Sequence, residues 1–224
     1  MGTLNAAEAI TRLREGNARF VANVRSVEAM ASGARRADPL KPQEPIAIIL
    51  GCSDSRAPAE TIFDQGMGDL FVIRVAGNIV APSQIGSVEF AAQRFGTRLV
   101  VVMGHTHCGA VSATIEAILD PDPPRSRNLL SITDRIMPAV SPLMGTELAR
   151  DRDHLMRAAT RANVSAAADH LRHGSRILEE ERLRGGLVIV GAEYDIESGL
   201  VEFFDGADDA ESMPRVSRPP PPGY

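Results

Sequence analysis

The sequence has few of the features that mark secreted, membrane-spanning or nucleic-acid-binding proteins. It contains two cysteines in 224 residues, which is too few for a disulfide framework. The longest apolar run, at residues 46–50, is far too short to span a bilayer, and the first twenty residues contain no apolar signal-peptide core. The formal charge of −5 shows no basic excess of the kind that binds nucleic acid. We therefore expect a cytoplasmic protein that binds neither nucleic acid nor a membrane.

Four short apolar runs predict a parallel β-sheet. They are rich in β-branched residues: IAIIL (46–50), LFVIRV (70–75), LVVVM (99–103) and LVIV (187–190). Continuous rather than alternating apolarity is typical of strands that are covered on both faces. Helix-like stretches separate the runs, at 84–95, 110–119 and 153–184. This alternation predicts an α/β fold with a four-stranded parallel core, helices on both faces, and an antiparallel edge strand at 200–204.

The remaining segments complete a single domain at 1–206. Residues 4–24 place apolar side chains at three- and four-residue spacings, which predicts an N-terminal arm helix. A polar linker follows at 32–45, and five prolines at 120–145 predict a loop with short helical pieces. A proline-rich tail is predicted at 207–224, and its segment PRVSRPPPPGY cannot continue a helix or a central strand, so we expect that segment to be extended or disordered.

Both cysteines directly follow predicted strands. Cys52 comes after the first run, with Asp54 two residues beyond it. Cys108 comes after the third run, with His105 three residues before it. Because the carboxyl ends of parallel strands meet at one edge of a sheet, these side chains can converge. Two thiolates and an imidazole select Zn²⁺, so the pattern predicts a zinc site, although spacing alone does not choose between His105 and His107.

Other interpretations of these residues compete with a metal site. A cysteine at a strand end is usually a small buried hydrophobe. A thiol redox protein would use a C-x-x-C motif, which is absent, and the two cysteines lie 56 residues apart. Asp54 and Arg56 alone could form a surface ion pair worth less than about 1 kcal/mol. The occurrence of both cysteines at equivalent strand ends favours the metal site.

Two separated motifs carry a resemblance to a known family. CSDSR at 52–56, followed by HTHCG at 105–109, resembles the double signature of the β-class carbonic anhydrases. The segment APAETIFDQGMGDLFVIRVAGNIV between them is similar to the same family, as is GAEYDIESG near the end, so the resemblance covers about residues 6–204. It implies a zinc lyase that reversibly hydrates carbon dioxide to bicarbonate and a proton by means of a zinc-bound hydroxide.

The resemblance also assigns roles to individual residues. The family's zinc ligands match two cysteines and one histidine, Cys52, His105 and Cys108. His107 is then a loop histidine. Asp54 and Arg56 match the catalytic dyad, in which the carboxylate can become a fourth zinc ligand in a closed state.

Four further positions match residues that hold the substrate or its anion: Gln43, Phe71, Phe90 and Gly109. Some members of the family have tyrosine where Phe90 stands, so a hydrogen bond from that hydroxyl is missing here. The backbone amide of Gly109 is expected to lie near the bound anion. For Gln43, Phe71 and Phe90, composition alone indicates a polar linker residue and core aromatics, so these roles depend on the resemblance.

The resemblance implies an assembly and leaves alternatives. A homodimer or a dimer of dimers is expected, with the N-terminal helix reaching across a partner subunit and the zinc near the subunit boundary. A regulated subgroup has tryptophan where Ile49 stands, and this chain has no tryptophan, so we expect an open, unregulated enzyme. Relatives on the same fold hydrolyse carbon disulfide or carbonyl sulfide, and a non-catalytic zinc-bearing scaffold is the alternative from another class.

Overall fold

The structure is a computed structural model that describes residues 4–26, 43–120 and 126–212. Within these ranges there are five strands: β1 (Ala47–Gly51), β2 (Leu70–Arg74), β3 (Leu99–His105), β4 (Val188–Tyr194) and β5 (Val201–Asp205). The helices are α1 (Ala6–Val21), α2 (Ala59–Ile62), α3 (Pro82–Arg94), α4 (Gly109–Leu119), α5 (Arg127–Val140), α6 (Arg152–His173), α7 (Arg176–Gly185) and α8 (Ala207–Ser212). Short 3₁₀ turns lie at Ala76–Asn78, Ser141–Gly145 and Glu147–Arg150.

The five strands form one sheet in the order β2-β1-β3-β4-β5. The first four pair in parallel, and β5 pairs antiparallel with β4. The predicted α/β fold with a parallel core and an antiparallel edge strand is therefore confirmed. β1 and β3 are neighbours in the sheet, so their carboxyl ends, which carry Cys52 and His105, lie side by side.

Helices cover both faces of the sheet because successive residues of a strand point to opposite sides. Ala47 and Ile49 pack in one core with residues of α1 and α8. Ile48 and Leu50 pack in the other core with residues of α3, α6 and α7. Every residue of β1 is buried, which explains why its sequence is apolar throughout instead of alternating.

Helix α5 differs from the loop that its prolines predicted. It runs for 14 residues and contains Pro138 within its last turn. Thr133, Ile136 and Val140 recur at three- and four-residue spacings and are buried. Burial of this face outweighs the loss of one backbone hydrogen bond at the proline. The prediction of a loop with short helical pieces was wrong, because the apolar periodicity of this segment has a stronger effect than its proline.

Two other boundaries differ from the predictions. The stretch at 153–184 is two helices, because Ser175 accepts a hydrogen bond from the Leu178 amide and begins α7 as its N-cap. Helix α8 lies within the predicted tail, with Ala207 and Ala210 buried in the core. The rest of the tail and most of the linker lie outside the described residues, so the division of the chain into domain and tail stays a prediction.

Helix α1 packs on its own chain. Ile10 and Leu13 are fully buried in the same core as β1. The side-chain amide of Asn17 donates to the carbonyl oxygen of Gly199 at 2.8 Å. The expectation that the helix reaches across a partner subunit stays a prediction. Within the described ranges, no helix is both long and apolar enough to cross a membrane; the cytoplasmic location stays a prediction.

Candidate metal centre and active site

Three side chains from two neighbouring strand ends converge at the carboxyl edge of the sheet. Cys52 directly follows β1, His105 is the last residue of β3, and Cys108 is the N-cap residue of α4. Their ligand atoms all lie within 4.8 Å of one another. All three residues are buried, and the cysteines pack against apolar side chains of α4, α5 and α6. The sequence prediction that the strand-end cysteines meet one histidine agrees with this placement.

The orientation of His105 leaves one nitrogen for a metal. Its Nδ1 lies 2.9 Å from the carbonyl oxygen of Thr106. A carbonyl can only accept, so Nδ1 carries the hydrogen and Nε2 has a free lone pair. Nε2 is buried and has no hydrogen-bond partner among the described residues. An unpartnered buried nitrogen beside two thiols fits a Zn²⁺ ion with two sulfur ligands and one nitrogen ligand.

Contact between Cys52 and Cys108 shifts their pKa values in opposite directions. The hydrogen bond from the Cys108 thiol outweighs burial and lowers the pKa of Cys52 to about 4. The same contact raises the pKa of Cys108 well above its ordinary value. The Gly77 amide also donates to Cys52 Sγ, with an N···S distance of 3.3 Å. A Zn²⁺ ion at this site would be held by the two sulfurs as thiolates, which are the sulfur species that ligate metals.

Asp54 and Arg56 form a bidentate ion pair beside the three ligands. Arg56 Nε donates to Oδ1 at 3.0 Å and Nη2 donates to Oδ2 at 2.8 Å. This hydrogen bonding holds the pKa of Asp54 well below its ordinary value, so the carboxyl is ionised across the neutral range. Oδ2 lies 3.9 Å from His105 Nε2. An oriented carboxylate therefore stands next to the metal-binding atoms.

Arg74, at the end of β2, braces the loop that carries this pair. Its guanidinium donates to the carbonyl oxygens of Cys52 and Asp54. No motif in the sequence indicates a role for Arg74 or Gly77, although both lie in the segment LFVIRVAGN. Their contacts with Cys52 span 22 and 25 residues. The one signal that could have indicated them is their place within the family-like segment.

The four residues assigned to the substrate do not all lie at this edge. Gly109 does, because it is the first residue of α4 directly after Cys108. Phe71 pairs in register with Ile48, which is about 13 Å before Cys52 at roughly 3.3 Å per residue. Phe71, on the outer strand β2, contacts the ring of Phe90, on α3, with centroids 6.2 Å apart. Gln43 is exposed and precedes β1. Within one chain these three lie at the far end of the strands.

Comparison with known proteins identifies the family. Residues 47–201 match the family model described as carbonic anhydrase. Carbonic anhydrase 2 of Mycobacterium tuberculosis is 38% identical over 207 residues, which cover 92% of this chain and 96% of that protein. The chain belongs to the β-carbonic anhydrase family. The carbonic anhydrase of Mycolicibacterium smegmatis is 35% identical over 203 residues, which cover 91% of this chain and 95% of that protein.

Solved β-carbonic anhydrases have the same fold. CafA of Aspergillus fumigatus is 26% identical with a TM-score of 0.67, covering 81% of this chain and 89% of that chain. One of two tetrameric enzymes from Sordaria macrospora is 25% identical with a TM-score of 0.66, covering 78% of this chain and 91% of that chain. The predicted β-carbonic anhydrase resemblance is confirmed. The match to the family model includes both signatures and begins four residues after Gln43.

Proposed function

We propose that this β-carbonic anhydrase catalyses the reversible hydration of carbon dioxide to bicarbonate with one Zn²⁺ ion held by Cys52, His105 and Cys108. One observation carries the proposal: in the part of the chain that the structure describes, His105 Nε2 is buried without a hydrogen-bond partner and lies within 4.8 Å of two cysteine sulfurs. The relatives named carbonic anhydrase, which match over nearly their full length, support the same reaction.

The residues around the ligands orient the reacting groups and bind the anionic product. Bound zinc supplies a Lewis acid that acidifies water for attack on carbon dioxide. Asp54 is ionised and fixed by Arg56, so it can accept a hydrogen bond from the water-derived nucleophile. This bond points the lone pair of the nucleophile at the carbon of carbon dioxide. The same guanidinium keeps the carboxylate from becoming a fourth ligand. The Gly109 amide lies in the first turn of α4, where the helix dipole favours the anionic product.

We infer that a second copy of the chain completes the substrate pocket with its own Gln43, Phe71 and Phe90. Gln43 and Phe71 lie too far along the strands to reach Cys52 of their own chain, and Phe90, on α3, packs against Phe71. Phe90 is 52% exposed, and a second copy of the chain would cover its ring. The Sordaria enzymes are described as tetrameric. A homodimer or a dimer of dimers follows, with the metal near the subunit boundary.

Carbon dioxide hydration measured on protein of known zinc content tests the proposal. We expect one zinc per chain, rapid hydration, and loss of both in Cys108→Ala, while Cys108→Ser keeps the side-chain volume and serves as the matched variant. Carbon disulfide and carbonyl sulfide are assayed in parallel. Hydrolysis of either without carbon dioxide hydration would show a sulfur-analogue hydrolase. Full zinc content with no activity on any of the three substrates would show a metal-bearing scaffold.

A further inference from the structure

We propose that Asn163, on α6, is a positioning residue for the metal centre, which it reaches through the backbone of Gly77. The inference concerns the zinc site proposed above and rests on it. Asn163 is 3% exposed, and its side-chain amide donates to the Gly77 carbonyl oxygen at 2.8 Å. The amide of the same glycine donates to Cys52 Sγ, with an N···S distance of 3.3 Å. One residue of backbone therefore joins a buried helix side chain to a metal-binding sulfur.

The Gly77 turn has little room to adjust by other means. Its φ is +67°, a left-handed conformation that side chains rarely adopt. A Cβ at this position would lie 2.7 Å from Ile136 Cδ1 and 2.9 Å from the Ala110 Cβ. Helices α4 and α5 thus hold the turn from one side, while Asn163 holds its carbonyl from another. The direction of the Gly77 amide toward Cys52 follows from these constraints together.

The contact matters chemically because the acceptor is a thiolate. An N–H donor to a charged sulfur forms a charge-assisted hydrogen bond, which orients the ligand and withdraws part of its negative charge. Because the sulfur then donates less charge to the metal, a dithiolate site with this hydrogen bond is a stronger Lewis acid than the same site without it. Partners of metal ligands typically change metal affinity or activity by about 10–100-fold when they are removed. Asn163 acts on Cys52 through one intervening residue and is expected to fall within that range.

Asn163→Ala tests the inference, with Asn17→Ala as the matched control. Both are buried asparagines on helices, and both donate to a glycine carbonyl at 2.8 Å, but Asn17 contacts Gly199 and not the site. Each variant is loaded with Co²⁺ to record the thiolate-to-cobalt absorption bands, and with Zn²⁺ to measure affinity against a competing chelator. We expect Asn163→Ala to shift the cobalt bands and weaken zinc about 10–100-fold. Asn17→Ala should change neither quantity, even where it lowers the melting temperature.

The outcomes separate this inference from the proposed function. A wild-type chain that binds neither cobalt nor zinc overturns the zinc site and the inference with it. Wild-type-like bands and zinc affinity in Asn163→Ala overturn the inference alone. Should that variant not fold, Asn163→Asp replaces the amide with a group of the same shape that cannot donate when ionised. In that variant, unchanged cobalt bands and an equally slow hydrogen exchange of the Gly77 amide refute the role, and faster exchange with shifted bands supports it.

Discussion

Removal of the Arg56 side chain should abolish most of the activity and leave the zinc in place. Three hydrogen bonds fix the Asp54 carboxylate, and two of them come from the guanidinium. In Arg56→Ala the backbone amide still bonds Oδ1, but Oδ2 loses its donor at 2.8 Å. That oxygen already lies 3.9 Å from His105 Nε2. Without the guanidinium, a bound metal would be the nearest cation for this ionised carboxylate, which would then become a fourth ligand.

The magnitude follows from the loss of orientation. Misplacement of a reacting group by about 1 Å costs on the order of 10²-fold in rate, and loss of a donor that organises the transition state costs about 10²–10³-fold. We expect kcat in Arg56→Ala to fall by about 10²–10³-fold. Arg56→Lys keeps the charge but cannot bond both oxygens in one plane, so its kcat should fall between those of the wild type and Arg56→Ala.

Stopped-flow carbon dioxide hydration with a pH indicator measures these rates, and elemental analysis measures zinc in the same samples. Cobalt-substituted Arg56→Ala should also show altered absorption as the carboxylate joins the metal. The three ligand side chains are unchanged, so zinc content should stay at the wild-type level. A kcat within about threefold of wild type, at full zinc content, would refute the orienting role of the ion pair.

Three further outcomes are expected. Gly16→Ala should destabilise the protein in urea unfolding by about 1–3 kcal/mol, despite the higher helix propensity of alanine, because its Cβ would lie 1.8 Å from the Phe63 carbonyl oxygen; equal or greater stability would contradict the packing of α1. Arg19→Gln should lower the free energy of unfolding at neutral pH by about 1–3 kcal/mol, since Asp64 is fully buried and bonds Arg19 Nε at 2.6 Å. Burial raises the pKa of Asp64, but this ion pair opposes burial and holds the pKa below its ordinary value. The stabilisation is therefore present above the unfolded pKa near ~4 and should disappear as pH falls through the lower folded pKa. A stability difference between wild type and Arg19→Gln that persists in acid would argue against this role of the ion pair. The rate of hydration should rise with pH on the alkaline side of neutrality, because two thiolates offset the zinc charge and leave the metal-bound water less acidic. Asp54 is ionised throughout this range and adds no inflection. A flat rate profile would exclude this account.

The sequence predicted those parts of the molecule whose cause is local. A short apolar run is sufficient to predict a buried strand, and a cysteine directly after it predicts a side chain at the carboxyl edge. Cys52 and Cys108 were therefore predicted to converge, and the resemblance selected His105 over His107. The structure supplies the reason for that selection, since His105 is the last buried residue of β3, whereas His107 lies in an exposed turn with a φ of +57°.

Other features depend on contacts that no local pattern reveals. Asn163 and Gly77 are 86 residues apart, and nothing in their neighbouring residues indicates the bond between them. Pro138 predicted a break that tertiary burial of α5 overrides. The resemblance named Gln43 and Phe71 but did not say where they lie relative to Cys52. Their positions follow from the direction of the strands. A motif identifies the chemistry of these residues, and the register shows that Phe71 lies far from Cys52 of its own chain.

The parallel pairing of β1 and β3 has a consequence for how the protein matures. The ligands are contributed by strands whose pairing requires the whole crossover through α2, β2 and α3 to be in place. Such pairings form slowly, because the entropy of closing a long loop is lost before the stabilising contacts between the strands can form. Zinc therefore cannot nucleate this chain as it does a zinc finger, whose ligands lie close together in sequence. We expect metal uptake to follow assembly of the sheet, so that newly synthesised chains pass through a compact stage in which the three ligands already lie together without their metal.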